Sequence, residues 1–258
     1  MQKLRLLSAA LVLACLWLFG TAVFAKPPLA PLPSIVLVHG AFADGSSWDR
    51  VVPLLQAKGY SVVALHQALS SLGDDVAATR RAIAAQPGDV VLVGHSYGGA
   101  VITEAGNDPK VKSLVYVAAF GPDAGESIND QGRGRPAPSW ASALRVDSGG
   151  YAWLPASTVA HDFAQDLPEA ETRLLAAKQG PIAVHSFDEK IKVAAWRTRP
   201  VFYVRTTEDH MIDPDEQAAM AKRLKATLTS VPASHVVMLS HPEDVAAVIL
   251  KAAAATRR

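Results

Sequence analysis

The sequence has little cysteine and almost no net charge. Cys15 is its single cysteine, and 25 basic against 24 acidic residues leave a formal net charge of +1. One cysteine excludes a disulfide within the chain. Without a basic stripe we expect no nucleic-acid partner. Apolar residues make up 50% of the 258 positions, which is enough for one sizeable core.

The N-terminal region has the composition of an export segment. Two basic residues precede an apolar run over residues 6–24, and the small residues that follow suit cleavage after Ala25. We therefore predict a signal peptide over residues 1–25, a Pro-rich spacer over 26–33, and an exported protein that is periplasmic or secreted. Two alternatives stay open.

One alternative is an uncleaved membrane anchor, since the apolar run approaches the ~20 residues that span a bilayer. It would be the only association with a membrane that we expect. The other alternative is lipidation at Cys15, although the apolar run continues beyond that residue. Cleavage after Ala25 would leave a mature protein with no cysteine, and so without a cysteine nucleophile.

From residue 34 onward, short β-branched runs alternate with helical patterns. This rhythm predicts a parallel sheet with helices on both faces, in one domain over residues 34–258. Between about residues 121 and 195 the rhythm is interrupted by Gly, Pro and Ser, with helical stretches and scattered aromatics. We interpret this interruption as an inserted helical cap. The predicted strands lie at residues 35–38, 61–65, 90–93, 111–118, 200–204 and 227–231.

The run Gly94-His95-Ser96-Tyr97-Gly98 matches the G-x-S-x-G pattern of a nucleophile elbow. It follows a predicted strand and precedes a predicted helix, which is the context that the pattern requires. Small residues at positions 94 and 98 allow the sharp turn. We predict that Ser96 is a catalytic nucleophile; an incidental serine in a glycine-rich turn is the alternative.

An oxyanion hole is expected close to this serine. One donor would be the backbone N–H of Tyr97, directly after the nucleophile. The run His39-Gly40-Ala41-Phe42 follows the first predicted strand, so the backbone N–H of Ala41 is the expected second donor. Phe42 is the neighbouring candidate.

The general base of such a site follows the nucleophile late in the chain. Three histidines are late enough, and His235 is our choice because it follows the last strand-like segment. His241 precedes a proline at the start of the final helix, where a structural role is expected. His210 lies in the loop in which we expect the acid.

That acid should follow the strand over residues 200–204. Asp209 is the predicted acid, and it would hold the tautomer and orientation of His235. Glu208 is adjacent, and Asp213 precedes a proline, where it suits a helix cap. The substrate pocket is expected to be apolar, with Phe42, Phe120, Trp140 and Trp153 as candidate lining residues.

Together these motifs resemble the α/β-hydrolase superfamily, and more narrowly its small serine esterases related to plant salicylate-type methylesterases and hydroxynitrile lyases. The resemblance implies an α/β-hydrolase fold with a mostly parallel, mixed sheet of eight strands and an inserted helical cap. It also implies hydrolysis without a cofactor or a metal. The lyases carry a lysine after the catalytic histidine and a threonine where this chain has Gly40. Here Val236 follows His235, and both differences favour ester hydrolysis over cyanohydrin cleavage.

We therefore expect a serine hydrolase that cleaves carboxylic esters of small to medium, partly apolar small molecules through an acyl-enzyme. Lactones are included in this class. The alternatives are hydrolysis of carbon–carbon bonds, acyl transfer or perhydrolysis by the same triad, because the cap pocket decides among them. A non-catalytic binding protein that keeps the fold is a further alternative.

Overall fold

The computed structural model describes residues 31–256, and its centre is a sheet of six parallel strands. The predicted signal peptide and most of the predicted spacer lie outside the described residues. The strands are β1 (Ser34–Val38), β2 (Val62–Ala64), β3 (Val90–His95), β4 (Val111–Val117), β5 (Arg145–Val146), β6 (Tyr151–Trp153), β7 (Ile182–Ala183), β8 (Val201–Thr206) and β9 (Thr227–Val231). The order in the main sheet is β2-β1-β3-β4-β8-β9.

Strands β1 and β3 are buried along their whole length, which means that both faces of the sheet are covered. Their β-branched, apolar sequences suit this position. The edge strand β9 is mostly exposed, and polar residues alternate with apolar ones along most of it.

The expectation of eight strands in a mixed sheet is wrong for the described residues, where every pairing in the main sheet is parallel. Only residues 31–33 precede β1 in the described part of the chain, too few for an additional strand. Each crossover between the six strands contains a helix, and parallel pairing requires such a crossover.

Helices cover the sheet and begin where the sequence provides caps. Ser71 accepts a hydrogen bond from the Asp74 N–H at the start of α2 (Leu72–Ala84), and Asp213 caps α7 (Pro214–Arg223). Helix α2 packs against α3 (Gly98–Ala105), and α9 (Pro242–Ala255) lies on β4 and β8. The helices are α1 (Val52–Gln56), α2 (Leu72–Ala84), α3 (Gly98–Ala105), α4 (Ile128–Gln131), α5 (Ala156–Thr158), α6 (Glu169–Lys178), α7 (Pro214–Arg223), α8 (Val237–Ser240) and α9 (Pro242–Ala255).

The segment between β4 and β8, where the sequence predicts a helical cap, contains α4, α5, α6 and a small antiparallel sheet in the order β5-β6-β7. A π-helical turn, Val159–Phe163, follows α5. We refer to this segment as the cap segment. No helix within residues 31–256 reaches the length and hydropathy of a membrane span.

Candidate active site

Ser96 lies at the turn between β3 and α3, in a left-handed backbone conformation with φ of 52°. A non-glycine residue in this region is strained, and such strain is often found at functional sites. The turn is tight because a Cβ at Gly94 would lie 2.5 Å from the Gly98 carbonyl oxygen, and one at Gly98 would lie 2.7 Å from that of His39. Glycine at both positions therefore permits the sharp elbow that the sequence predicts.

His235 and Asp209 form a buried pair in the loops that follow β9 and β8. His235 Nδ1 lies 2.8 Å from Asp209 Oδ2, and the two side chains are 1% and 0% exposed. The structure thus brings together the two residues that the sequence predicts as base and acid. Glu208, the carboxylate next to the predicted acid, is exposed.

Four further donors surround the Asp209 carboxylate. The Thr206 hydroxyl and the Gln217 amide donate to Oδ2 at 2.7 and 2.8 Å, and the backbone N–H groups of Met211 and Ile212 donate to Oδ1 at 2.8 and 3.0 Å. Burial alone would raise the pKa of Asp209, but its attraction to His235 and these donors outweigh burial and lower the pKa. The carboxylate therefore stays ionised and can hold Nδ1–H of His235.

His95 connects the elbow to the base. Its Nε2–H donates to the His235 carbonyl at 2.9 Å, and the two rings lie 4.6 Å apart. Burial holds the pKa of His95 well below its usual range, so the ring is neutral. These contacts place the loops of Ser96 and His235 side by side, although within residues 31–256 no hydrogen bond joins Ser96 Oγ to His235. Such contacts often tighten only when a substrate binds.

The loop after β1 packs directly against the elbow. His39 anchors it, because Nδ1–H donates to the Gly40 carbonyl at 2.8 Å and Nε2 accepts from the Gln67 N–H at 3.0 Å. Within residues 31–256 the backbone N–H groups of Ala41 and Tyr97, the two predicted oxyanion donors, donate no hydrogen bond. Phe42, next to Ala41, has a left-handed φ of 58°.

Among the four predicted pocket residues, Phe42 and Trp140 stack edge to face at 6.3 Å. The Phe120 N–H donates to the Ser96 carbonyl at 3.2 Å. Trp153 lies on β6 of the small antiparallel sheet, where it pairs with Arg145. Phe163, on the π-helical turn of the cap segment, packs 5.4 Å from the His235 ring.

A cleft of about 530 Å³ opens beside Asp209, between the loop over residues 135–139 and the start of α7. Both charged and apolar residues line it, and neither Ser96 nor His235 does. The described residues contain no group of three or more His, Cys, Asp or Glu side chains that could hold a metal ion.

Sequence reasoning missed the residues that hold the site in place. Thr206 and Gln217 belong to no motif, and His95 stands at a position where the elbow pattern accepts any residue, so no signal singled these three out. Asp75 was also missed: it is fully buried and accepts hydrogen bonds from the Tyr97 hydroxyl at 2.9 Å and the Leu69 N–H at 3.1 Å. Burial raises the pKa of Asp75 to about 6.

The chain is similar to several known hydrolases. The family model described as "Alpha/beta hydrolase family" matches residues 35–248. The chain is 28% identical to "Probable hydrolase R7" of a Phoma species, over 86% of this chain and 98% of that protein. It is 27% identical to salicylic acid-binding protein 2 of Nicotiana tabacum, over 84% of this chain and 96% of that protein.

Among solved structures, a pyrethroid hydrolase from Sphingobium faniae JZ-2 is 25% identical, with a TM-score of 0.76 over 87% of this chain and 98% of that chain. The family match spans most of the chain, including the elbow, the Asp209 loop and the His235 loop. The chain therefore belongs to the alpha/beta hydrolase family.

Proposed function

We propose that this protein is a serine hydrolase that cleaves carboxylic esters, lactones included, of small to medium, partly apolar molecules. The observation that carries the proposal is the buried His235–Asp209 pair beside a strained serine at the carboxyl ends of the central strands. Relatives named carbendazim hydrolyzing esterase, methylesterase 2 and pyrethroid hydrolase support ester cleavage.

In the proposed reaction His235 Nε2 takes the proton from Ser96 Oγ as the oxygen attacks the ester carbonyl carbon. The carbonyl π electrons move to oxygen, and the N–H groups of Ala41 and Tyr97 stabilise the oxyanion. When the oxyanion collapses, the alcohol leaves with the proton from His235. The acyl group remains on Ser96. Asp209 accepts Nδ1–H and stabilises the imidazolium throughout.

A water molecule then completes the cycle. His235 removes its proton, the hydroxide attacks the acyl carbon, and collapse of the second oxyanion releases the acid while Ser96 regains its proton. One donor to an oxyanion is typically worth about 3 kcal/mol, so the two backbone groups account for a large part of the barrier reduction.

Gly40 supports hydrolysis over cyanohydrin cleavage. A Cβ at this position would lie 2.8 Å from Ser96 Cβ. The elbow therefore leaves no room for the threonine that the plant hydroxynitrile lyases carry there. His235 is followed by the buried Val236, which offers no charge for a cyanide leaving group.

The test combines covalent labelling with a substrate series. The purified protein is treated with a fluorophosphonate probe, and the modified peptide is identified by mass spectrometry. We expect labelling at Ser96 and turnover of short, soluble p-nitrophenyl esters. Ser96→Ala should lose about 10⁶-fold in kcat and all labelling.

A folded protein that leaves Ser96 unlabelled would refute the serine mechanism. Preference for long-chain emulsions over soluble short esters would contradict the proposed substrate size. Parallel assays with lactones, thioesters and a peracid-forming mixture compare the proposed reaction with acyl transfer and perhydrolysis.

A further inference from the structure

The cap segment holds both loops that carry the proposed acid and base, through residues 161–166. We call these residues the cap clamp. Within it, Gln165 Nε2–H donates to the Glu208 carbonyl at 2.5 Å, and the His161 carbonyl accepts from His210 Nδ1–H at 3.0 Å. Glu208 and His210 are the two neighbours of Asp209 in the chain.

The clamp also holds the loop that carries His235, and here the contact is made by a carboxylate. Asp166 accepts two hydrogen bonds from Ser234, one from its N–H at 2.9 Å and one from its hydroxyl at 2.5 Å. Ser234 directly precedes His235 and is fully buried, so its two donors depend on Asp166 for partners. A buried donor left without a partner costs about 1–3 kcal/mol, and the loop would have to rearrange to avoid that cost.

His235 is thereby fixed from several sides. Asp166 holds the residue before it, His95 Nε2–H holds its carbonyl at 2.9 Å, and Phe163 of the clamp packs against its ring. The first and last of these contacts come from the cap segment. The clamp also overlaps the π-helical turn, Val159–Phe163, a conformation that often occurs at functional sites.

We propose that Asp166 is a positioning residue for His235, coupling the placement of the cap segment to the alignment of the general base. The inference rests on the proposed function for the role of His235. Within residues 31–256 Asp166 accepts its hydrogen bonds from Ser234 and none from His235, so it acts through Ser234. A displaced clamp should therefore slow the chemical step more than it weakens substrate binding.

The experiment compares Asp166→Ala, which removes both hydrogen bonds, with Ser234→Ala, which removes one. Asp162→Ala is the matched control. Asp162 lies in the same clamp, and among the described residues its carboxylate accepts only from the exposed Ser139 hydroxyl, at 3.5 Å. We measure kcat, KM and Tm on a soluble short-chain ester.

We expect kcat to fall about 10- to 100-fold in Asp166→Ala and by less in Ser234→Ala, with KM within about twofold, because small misplacements of a catalytic group cost this much. Asp162→Ala should keep wild-type kcat. If Asp166→Ala does not fold, Asp166→Asn takes its place, since it keeps one acceptor. Equal kcat values in the Asp166 and Asp162 variants, or a loss confined to KM, would overturn the proposal.

A spectroscopic readout separates this inference from the proposed function. The proton between His235 Nδ1 and Asp209 should give a downfield ¹H resonance, which we expect to shift or broaden in Asp166→Ala but not in Asp162→Ala. If the wild-type protein shows neither turnover nor labelling of Ser96, the proposed function fails. The resonance then tests the coupling by itself, and an unchanged signal in Asp166→Ala refutes it.

Discussion

Gly40→Ala is the sharpest steric test of the site. Gly40 is not among the residues with positive φ, so alanine can adopt its backbone conformation and the effect is confined to one added carbon. That carbon would lie 2.8 Å from Ser96 Cβ and 2.9 Å from His95 Nδ1. Carbon atoms in contact lie at least about 3.5 Å apart, so the 2.8 Å contact must open by roughly 0.7 Å.

That displacement separates the elbow from the loop that carries Ala41. Overpacking of this size typically costs about 1–3 kcal/mol of unfolding free energy. A shift approaching 1 Å at the reacting groups lowers the rate by up to about 10²-fold. We therefore expect Gly40→Ala to lose between about 10- and 100-fold in kcat and to unfold at a lower temperature.

The assay is steady-state hydrolysis of a soluble ester together with calorimetric Tm. Gly88→Ala is the control, because a Cβ at Gly88 meets nothing within 4 Å. It should match the wild type in kcat, with a small change in Tm. Wild-type kcat and Tm in Gly40→Ala would show that the loop and the elbow can accept the added carbon, and would refute the 2.8 Å contact.

Two further predictions concern buried carboxylates. The pKa of Asp75 is about 6 in the fold and about 3.9 in an unfolded chain, so the folded state binds this proton more tightly. The free energy of unfolding should therefore fall by about 2 kcal/mol as pH rises from 4.5 to 8. Asp75→Asn should abolish that dependence, which urea unfolding at pH 4.5 and 8 would measure, and equal pH slopes in both proteins would refute it. Asp209→Asn should keep the fold and lower kcat by about 10⁴-fold, because the amide favours the wrong tautomer of His235; a loss below about tenfold would remove Asp209 from its proposed role.

The sequence predicted the elbow because its requirements are local. Gly94, Ser96 and Gly98 lie within five consecutive residues, and the strand before them is a short continuous apolar run. Asp209 and His235 could be predicted from order, since each follows a strand of a parallel sheet whose ends meet at one edge. The contacts that hold them could not be predicted. His95 and Asp166 reach the loop of His235 across 140 and 68 residues of sequence, and Gln217 reaches Asp209 only because α7 folds back beside it.

The cap segment shows the same limit. Strands β5 and β7 are two residues long, too short for any period to be read, and their pairing depends on chain closure within the segment. The number of strands in the main sheet came from the resemblance alone, and the described residues correct it to six.

The environment of Asp209 resembles a hydration shell fixed in place. Its five donors already point at the carboxylate before any proton has moved. Water dipoles around a carboxylate would have to turn as His235 gains and loses charge, and that reorganisation is a large part of a barrier in solution. Here Thr206, Gln217 and the backbone were oriented when the chain folded, so charge can appear on the imidazole while the dipoles around its partner stay still.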